Sequence, residues 1–450
     1  MSLAWRSLRR SLIWKRPLSV RYQSGYPTNM PPNRILQEQH VLRTGLERFI
    51  QKQAARPVPT VALNDLLKFN SAASHRDKSL MLVENANETL NDMVVLVTRR
   101  LIQFMKLPYI VVLNAKIADI YTAYLDTLKV ILEFVAKCDP ASELTEEFTF
   151  KIQNLEQNDL FLQMLKKTID IHTDNLSILS EGFEEISGLN LVDDKTFLND
   201  HLKERILMRL LANHHIQLTE QLNYKGEELE RLDQIGMIEP NMNVLEVLHR
   251  SFAFVNDMVA LKYDEKIQMN LKTVIINGDD TTTEQIVENF ESPDGLEPLK
   301  FPYISSHIEY VLNEIFKNSA RAHIENGVKK PVDVLIVVNK PNVEKPGPQF
   351  YKLEMRVGDH GLGIKPEVLD KLFDYSFTTF ESEAVEEDSY KTLNNTGANQ
   401  ANIIAGMGYG LPLSLTYNRL FNGDIELKSV YGQGTTVYLK WVGVDAKQIP

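Results

Sequence analysis

Glu314-Ile315-Phe316-Lys317-Asn318-Ser319-Ala320-Arg321 is followed by Asp359-His360-Gly361-Leu362-Gly363 and then by Gly406-Met407-Gly408-Tyr409-Gly410-Leu411-Pro412. The three boxes read E-x-x-K-N-x-x-R, D-x-G-x-G and G-x-G-x-G, in that order, between residues 314 and 412. A glycine pair occurs by chance, and a lone Asn on a helix is usually a surface residue. The ordered triple specifies a nucleotide site that none of its parts does alone.

Residues 307–323 read as a helix, with Ile308, Val311, Leu312, Ile315 and Ala322 as its apolar face. Glu314 and Asn318 are four apart, and Lys317 and Arg321 stand three and seven beyond Glu314, so these polar groups share one side. An Asn oxygen can ligate Mg²⁺, a cation that prefers hard oxygen ligands and keeps several waters while bridging phosphates. A carboxylate one turn earlier can orient or deprotonate an attacking hydroxyl. Taken by itself the segment is equally a solvated charged face. Leu353, Met355 and Val357 alternate with charged residues in a half-buried strand that delivers Asp359 at its end. A carboxylate there can accept the exocyclic amine of adenine, while Gly361 and Gly363 let backbone come close without a Cβ. Gly406, Gly408 and Gly410 precede an apolar helical segment and place N–H groups at a helix N-terminus, where phosphate binds readily.

Around this core the second half alternates strands and helices. Val332–Val338 is a β-branched run, and Ile425–Val430 and Thr435–Trp441 form a hairpin through Tyr431-Gly432-Gln433-Gly434. Residues 381–400 carry Glu381, Glu383, Glu386, Glu387 and Asp388 and have the composition of a loop between two glycine boxes, where lids are often found. The first half is helical. Apolar positions at 82, 86, 90, 93, 94, 97, 101, 104 and 105 form a helix-period stripe that Pro108 ends. Further stripes near 115–136, 146–181 and 198–222 predict an antiparallel four-helix bundle.

Composition sets bounds. The chain has 450 residues, 43% of them apolar and 24% charged, and a single cysteine, Cys138, which excludes an intrachain disulfide. No run approaches the roughly 18 apolar residues of a membrane span. The first acidic residue is Glu38, whereas Arg6, Arg9, Arg10, Lys15, Arg16 and Arg21 lie among Leu, Trp and Ser. This Arg-rich, acid-free amphipathic start matches a mitochondrial presequence, expected over residues 1–24, rather than a secretory signal. Without those cations the body is more acidic than the whole chain's −11, which argues against nucleic-acid binding.

The three boxes resemble those of the ATPase superfamily shared by gyrase, the Hsp90 chaperone, histidine kinases and the mitochondrial α-ketoacid dehydrogenase kinases. No histidine is followed by Asp or Glu, so the phospho-accepting pattern of histidine kinases is absent. Glu204-Arg205-Ile206-Leu207-Met208-Arg209-Leu210-Leu211-Ala212-Asn213-His214-His215 resembles the long-helix signature of the mitochondrial kinases, and Leu107-Pro108-Tyr109 and Phe373–Thr379 fit them too. The resemblance covers residues 40–441.

It implies an α+β two-domain fold: a helical domain over 25–240, a four-helix bundle that docks a lipoyl domain and holds allosteric ligands, and a GHKL-type (histidine-kinase-like) α/β sandwich ATPase domain over 241–450. It also implies Glu314 as general base toward a serine and Asn318 as Mg²⁺ ligand, with Lys317 and Arg321 near phosphate. Asp359, Gly361 and Gly363 would hold adenine, while Thr378, Thr379, Gly406, Met407, Gly408, Tyr409, Gly410, Leu411 and Thr435 enclose ATP. The expected protein is a homodimeric serine kinase of the mitochondrial matrix that inactivates the pyruvate dehydrogenase complex through its decarboxylase α subunit. Tyr310 stands where pyruvate dehydrogenase kinases often carry His, and branched-chain kinases have Tyr there; the Leu-Pro-Tyr-Ile-Val-Val stretch also fits fungal pyruvate dehydrogenase kinases. A branched-chain α-ketoacid dehydrogenase kinase and a non-catalytic nucleotide-binding scaffold are the alternatives.

Overall fold

The computed structural model describes residues 46–71, 75–140, 145–173, 175–187, 193–223, 234–278, 281–375 and 408–448. The basic leader and the acidic loop at 381–400 lie outside them. Among the described residues no helix is long and apolar enough to cross a membrane. The chain forms two compact units, one from residues up to 60 together with 83–192, the other from 61–82 together with 193–450.

The first unit is helical. It contains residues 46–54 and most of α1 (His75–Met105), then α2 (Tyr109–Val112), α3 (Ala115–Cys138), α4 (Leu155–Ile171) and α5 (Asn175–Ser187). The stripe read from the sequence is the buried seam of α1, with Leu82, Ala86, Leu90, Met93, Val94, Val97 and Leu101 all inaccessible. Pro108 supplies the residue before α2, after α1 has stopped at Met105. Helix α3 packs on α4 and α5. Its start is tied down by Asn114, whose oxygen accepts the N–H groups of Lys116 (3.0 Å) and Ile117 (3.2 Å) while its amide donates to Glu185 (2.7 Å). Lys116 adds ion pairs to Glu181 and Glu185 on α5.

The expected third helix over 146–181 is interrupted twice. Residues 148–153 form no helix, and α4 ends before His172. The cause is a contact that helical periodicity does not encode. Asn87 of α1 accepts the N–H of Ile152 (2.8 Å) and donates to its carbonyl (2.9 Å), as a neighbouring strand would. Phe148 and Phe150 meanwhile pack edge-on against Phe49 and Phe134. Asn154 then caps α4 by accepting from Gln157 N–H (2.9 Å).

The second unit is built on a six-stranded sheet in the order β2-β1-β3-β4-β6-β5: β1 Met269–Ile276, β2 Thr282–Val287, β3 Val332–Asn339, β4 Phe350–Gly358, β5 Asp424–Val430 and β6 Gly434–Asp445. β1 and β3 run parallel and the other pairs antiparallel. The parallel pair demands a crossover, which contains the helix α8 (Ser305–Glu325). Alternation buries one face of the sheet through Leu271, Val334, Ile336, Leu353, Met355, Val357, Val437 and Leu439. The unit's helices are α6 (Asp194–Asn223), α7 (Val244–Tyr263), α8, the single turn α9 (Pro366–Leu369) and α10 (Gly410–Leu420). α8 packs on α7 and α10, and α10 packs also on β5 and α6. The helix read as the bundle's fourth, α6, thus groups with the sheet. The whole is the α+β arrangement expected: a helical N-terminal region followed by a mixed sheet layered with helices.

Replacing Asn87 with Ala removes both polar contacts to Ile152, whose side chain is only 2% exposed. A loss of about 2 kcal/mol is expected, read as a lower urea midpoint with unchanged slope; an unchanged midpoint would show that the clamp is dispensable.

Candidate nucleotide site

α8 starts at Ser305, whose hydroxyl donates to the Glu239 carboxylate. Along one face His307, Tyr310 and Glu314 are buried, whereas Asn318, one turn past Glu314, is exposed. Glu314 is 4% exposed and ion-paired through Oε1 to Lys317. Its other oxygen faces the first residue of α10: a Cβ placed on Gly410 would lie 2.3 Å from Oε2. The carboxylate therefore occupies the volume that any other residue at 410 would need, and the first and third boxes touch. Arg321, two turns beyond Glu314, is held by Glu325 at 2.5 Å.

The second box is delivered by β4. Asp359 N–H donates to Thr435 O (2.8 Å), and Asp359 Oδ1 accepts from Gly361 N–H (3.0 Å) and Thr435 N–H (3.2 Å). Burial pushes the Asp359 pKa above the usual carboxylate value, while those two donors and His360 pull against it. The glycines of this loop are required by protein packing. A Cβ on Gly361 would lie 2.7 Å from Ala322 Cβ on α8, and one on Gly363 (φ +71°) would lie 2.4 Å from Val430 O on β5. The loop is thus pressed against α8 on one side and the β5–β6 hairpin on the other.

In the third box Gly408 has φ +76°, Tyr409 is buried with its ring centroid 5.5 Å from that of Tyr375, and Leu411 is half-buried in the first turn of α10. α10 presents the N-terminal backbone expected of an anion cradle. Thr378, Thr379, Gly406 and Met407 lie outside the described residues. Of the expected set, Glu314, Lys317 and Gly410 meet directly, as do Asp359, Gly361 and Thr435, with Gly363 against Gly434; Ala322 of α8, packed on Gly361, joins the two groups.

Sequence reading passed over four contributors. His323 Nε2 accepts the N–H of His360 (2.9 Å) and so steadies the D-x-G-x-G loop from α8. Ser429 Oγ accepts from Ile364 N–H (2.7 Å) and donates to Gly434 O (3.1 Å), joining that loop to the hairpin. Gly434 (φ +119°) would place a Cβ 2.2 Å from Asp359 O, a role hidden within a segment read only as a turn. Tyr375 packs on Tyr409 and bonds Thr416 through its hydroxyl (3.2 Å).

These residues suit ATP. Asp359 keeps Oδ2 for a donor on a base, and a helix start faces the buried acid. The exposed Asn318 offers one hard oxygen. Among the described residues no group of three or more His, Cys, Asp or Glu could hold a metal ion.

The comparisons agree with this construction. A model described as histidine kinase-, DNA gyrase B-, and HSP90-like ATPase matches residues 304–444, which hold the three boxes. A model described as mitochondrial branched-chain alpha-ketoacid dehydrogenase kinase matches residues 60–239. The chain is 28% identical over 408 residues to a Saccharomyces cerevisiae protein named [pyruvate dehydrogenase (acetyl-transferring)] kinase 1, mitochondrial, covering 90% of each. It is 28% identical over 332 residues to human [pyruvate dehydrogenase (acetyl-transferring)] kinase isozyme 1, mitochondrial, spanning 72% of this chain and 65% of that relative. It is 27% identical over 292 residues to human isozyme 4, spanning 62% and 61%. Fold and site define an ATPase-type nucleotide-binding unit of the histidine kinase, gyrase and Hsp90 class. Within that class the chain is similar to the mitochondrial α-ketoacid dehydrogenase kinases.

Two outcomes are expected. Gly410→Ala forces the Glu314 carboxylate aside, costing about 1–3 kcal/mol of stability and weakening ATP binding in calorimetry. Gly358→Ala, whose added methyl would find its nearest neighbour at 3.6 Å, changes neither. Because the Asp359 carboxylate is the form that accepts an amine, and burial raises its pKa, ATP affinity should fall on acidification at a higher pH than an ordinary carboxylate would give. Asp359→Ala should abolish that dependence.

Proposed function

We propose that this chain is a protein serine kinase of the mitochondrial matrix that phosphorylates, and so inactivates, the decarboxylase α subunit of the pyruvate dehydrogenase complex. The observation that carries the reading is the packing of a buried carboxylate, Glu314, against the glycine that starts α10, with Asp359 fixed in the same cluster. The mitochondrial pyruvate dehydrogenase kinases of yeast and human supply the substrate class.

In this mechanism Asp359 Oδ2 accepts the adenine amine, and the backbone at Gly408–Leu411 receives the phosphates. Lys317 and Arg321 add positive charge on that side of α8, and Asn318 supplies an oxygen to Mg²⁺. A Mg²⁺ held by Asn318 would supply positive charge that offsets the charge of the phosphates. Glu314, held by Lys317 on one oxygen, uses the other to take the proton of the attacking serine hydroxyl. Thr378, Thr379, Gly406, Met407 and Thr435 complete the enclosure. Residues 1–24 serve as presequence, 25–240 as the helical domain that docks the lipoyl domain of the transacetylase core, and 241–450 as the kinase domain, through which two copies pair.

A branched-chain α-ketoacid dehydrogenase as target is the second reading, favoured by Tyr310 and by the description of the model matching residues 60–239. Incubation with Mg·ATP and each purified complex separately decides between them by which α subunit gains phosphate; labelling of neither would favour a nucleotide-binding scaffold. Glu314→Gln should keep ATP binding and lose transfer by about 10²–10⁴-fold, and transfer at the wild-type rate would remove Glu314 from the role of base.

A further inference from the structure

We infer that His214 and Gln221 of α6 are positioning residues for the catalytic helix, because they hold the turn whose Glu239 anchors the first residue of α8. The inference rests on the kinase reading above and adds to it a second grip on Glu314.

Gln221 Oε1 accepts the N–H of Gly236 (2.9 Å), and His214 Nδ1 accepts the N–H of Met237 (3.2 Å). The approach is close: Gly236 has φ +56°, and a Cβ there would lie 2.3 Å from His214 Nδ1. His214 is 2% exposed. Its burial lowers the imidazole pKa to about 4, so at neutral pH the ring is uncharged and, with its proton on Nε2, keeps a lone pair for Met237.

The turn is stiff beyond this contact. Ile235 and Ile238 exchange backbone hydrogen bonds of 2.8 and 3.0 Å. Glu239 then exchanges bonds with Tyr303 (2.9 and 3.3 Å), and its carboxylate binds the Ser305 hydroxyl. Eight residues of continuous helix separate Ser305 from Glu314.

A helix moves as a rod, so a shift at Ser305 is delivered to Glu314. There it has no slack, because Gly410 lies against the carboxylate and Gly361 against Ala322. α6 also packs on α10, where Arg205 and Arg209 act on the Tyr417 phenol. One helix thus sets both elements that meet at Glu314.

The test uses the full chain with Mg·ATP and its protein substrate, reading kcat, KM for ATP, ATP affinity by calorimetry and the thermal midpoint. His214→Leu and Ser305→Ala should each lower kcat, by up to about 100-fold, while ATP affinity falls much less, because the Asp359 carboxylate is held by Thr435 of β6 and Gly361 of its own loop. The double variant should be no slower than the slower single one, and His214→Gln, which offers an amide oxygen to Met237, should recover most of the rate. Ser305→Ala removes one hydroxyl from a half-buried position and keeps the test open if His214→Leu does not fold. Normal kcat in a folded variant, additive losses in the double, or a His214→Gln as slow as His214→Leu would overturn the inference. A wild-type chain that binds ATP and transfers no phosphate would instead remove the kinase reading, and this inference with it.

Discussion

The contact on which the rest of the second unit depends is that between the Glu314 carboxylate and the Cα of Gly410. A buried ion pair is costly to desolvate and stabilises a fold only when its geometry is well satisfied. Lys317 satisfies one oxygen, and Gly410 at the start of α10 lies beside the other. A Cβ at 410 would make that carboxylate shift. Charge placed in advance where it will act is the main way a phosphoryl-transfer site lowers its barrier.

The sheet serves this contact indirectly. β4 ends at Gly358, β6 begins at Gly434, and Asp359 bridges them through both its backbone and its carboxylate. The loop that follows is wedged between Ala322 on α8 and the β5–β6 turn. Each of the three boxes is therefore braced by an element from another part of the chain, and none is a free-standing binding loop.

What could be read from the chain follows from the range of the forces involved. The α1 stripe, the alternation of Leu353, Met355 and Val357, and the β5–β6 hairpin express local periodicity, and each stands where its pattern put it. So do Glu314 and Asp359, whose surroundings were legible because the box residues carry their own chemistry. The extended stretch before α4 was hidden, because Asn87 lies 65 residues from Ile152 and no window sees both. The reason for Gly361 and Gly363 was only half visible: glycine was expected for approach to a ligand, whereas the space is taken by Ala322 and Val430. Ser429 and His323 had no signal of their own, since an isolated Ser or His on a periodic element reads as packing, and His214 stood out only as part of a long-helix signature, with nothing to indicate its bond to Met237.

The Asp359 loop has a further consequence, for choice among nucleotides. With Oδ1 occupied by two backbone donors, Oδ2 presents a lone-pair acceptor on a buried group. Adenine brings an amine to such an atom. Guanine brings a carbonyl at the equivalent ring position, so two acceptors would face each other with no water between them. A buried polar group left unpaired costs about 1–3 kcal/mol, more for a charged one, which is a tenfold to hundredfold preference. In the proposed kinase the same two N–H groups that fold the loop would leave a single carboxylate oxygen to read the base.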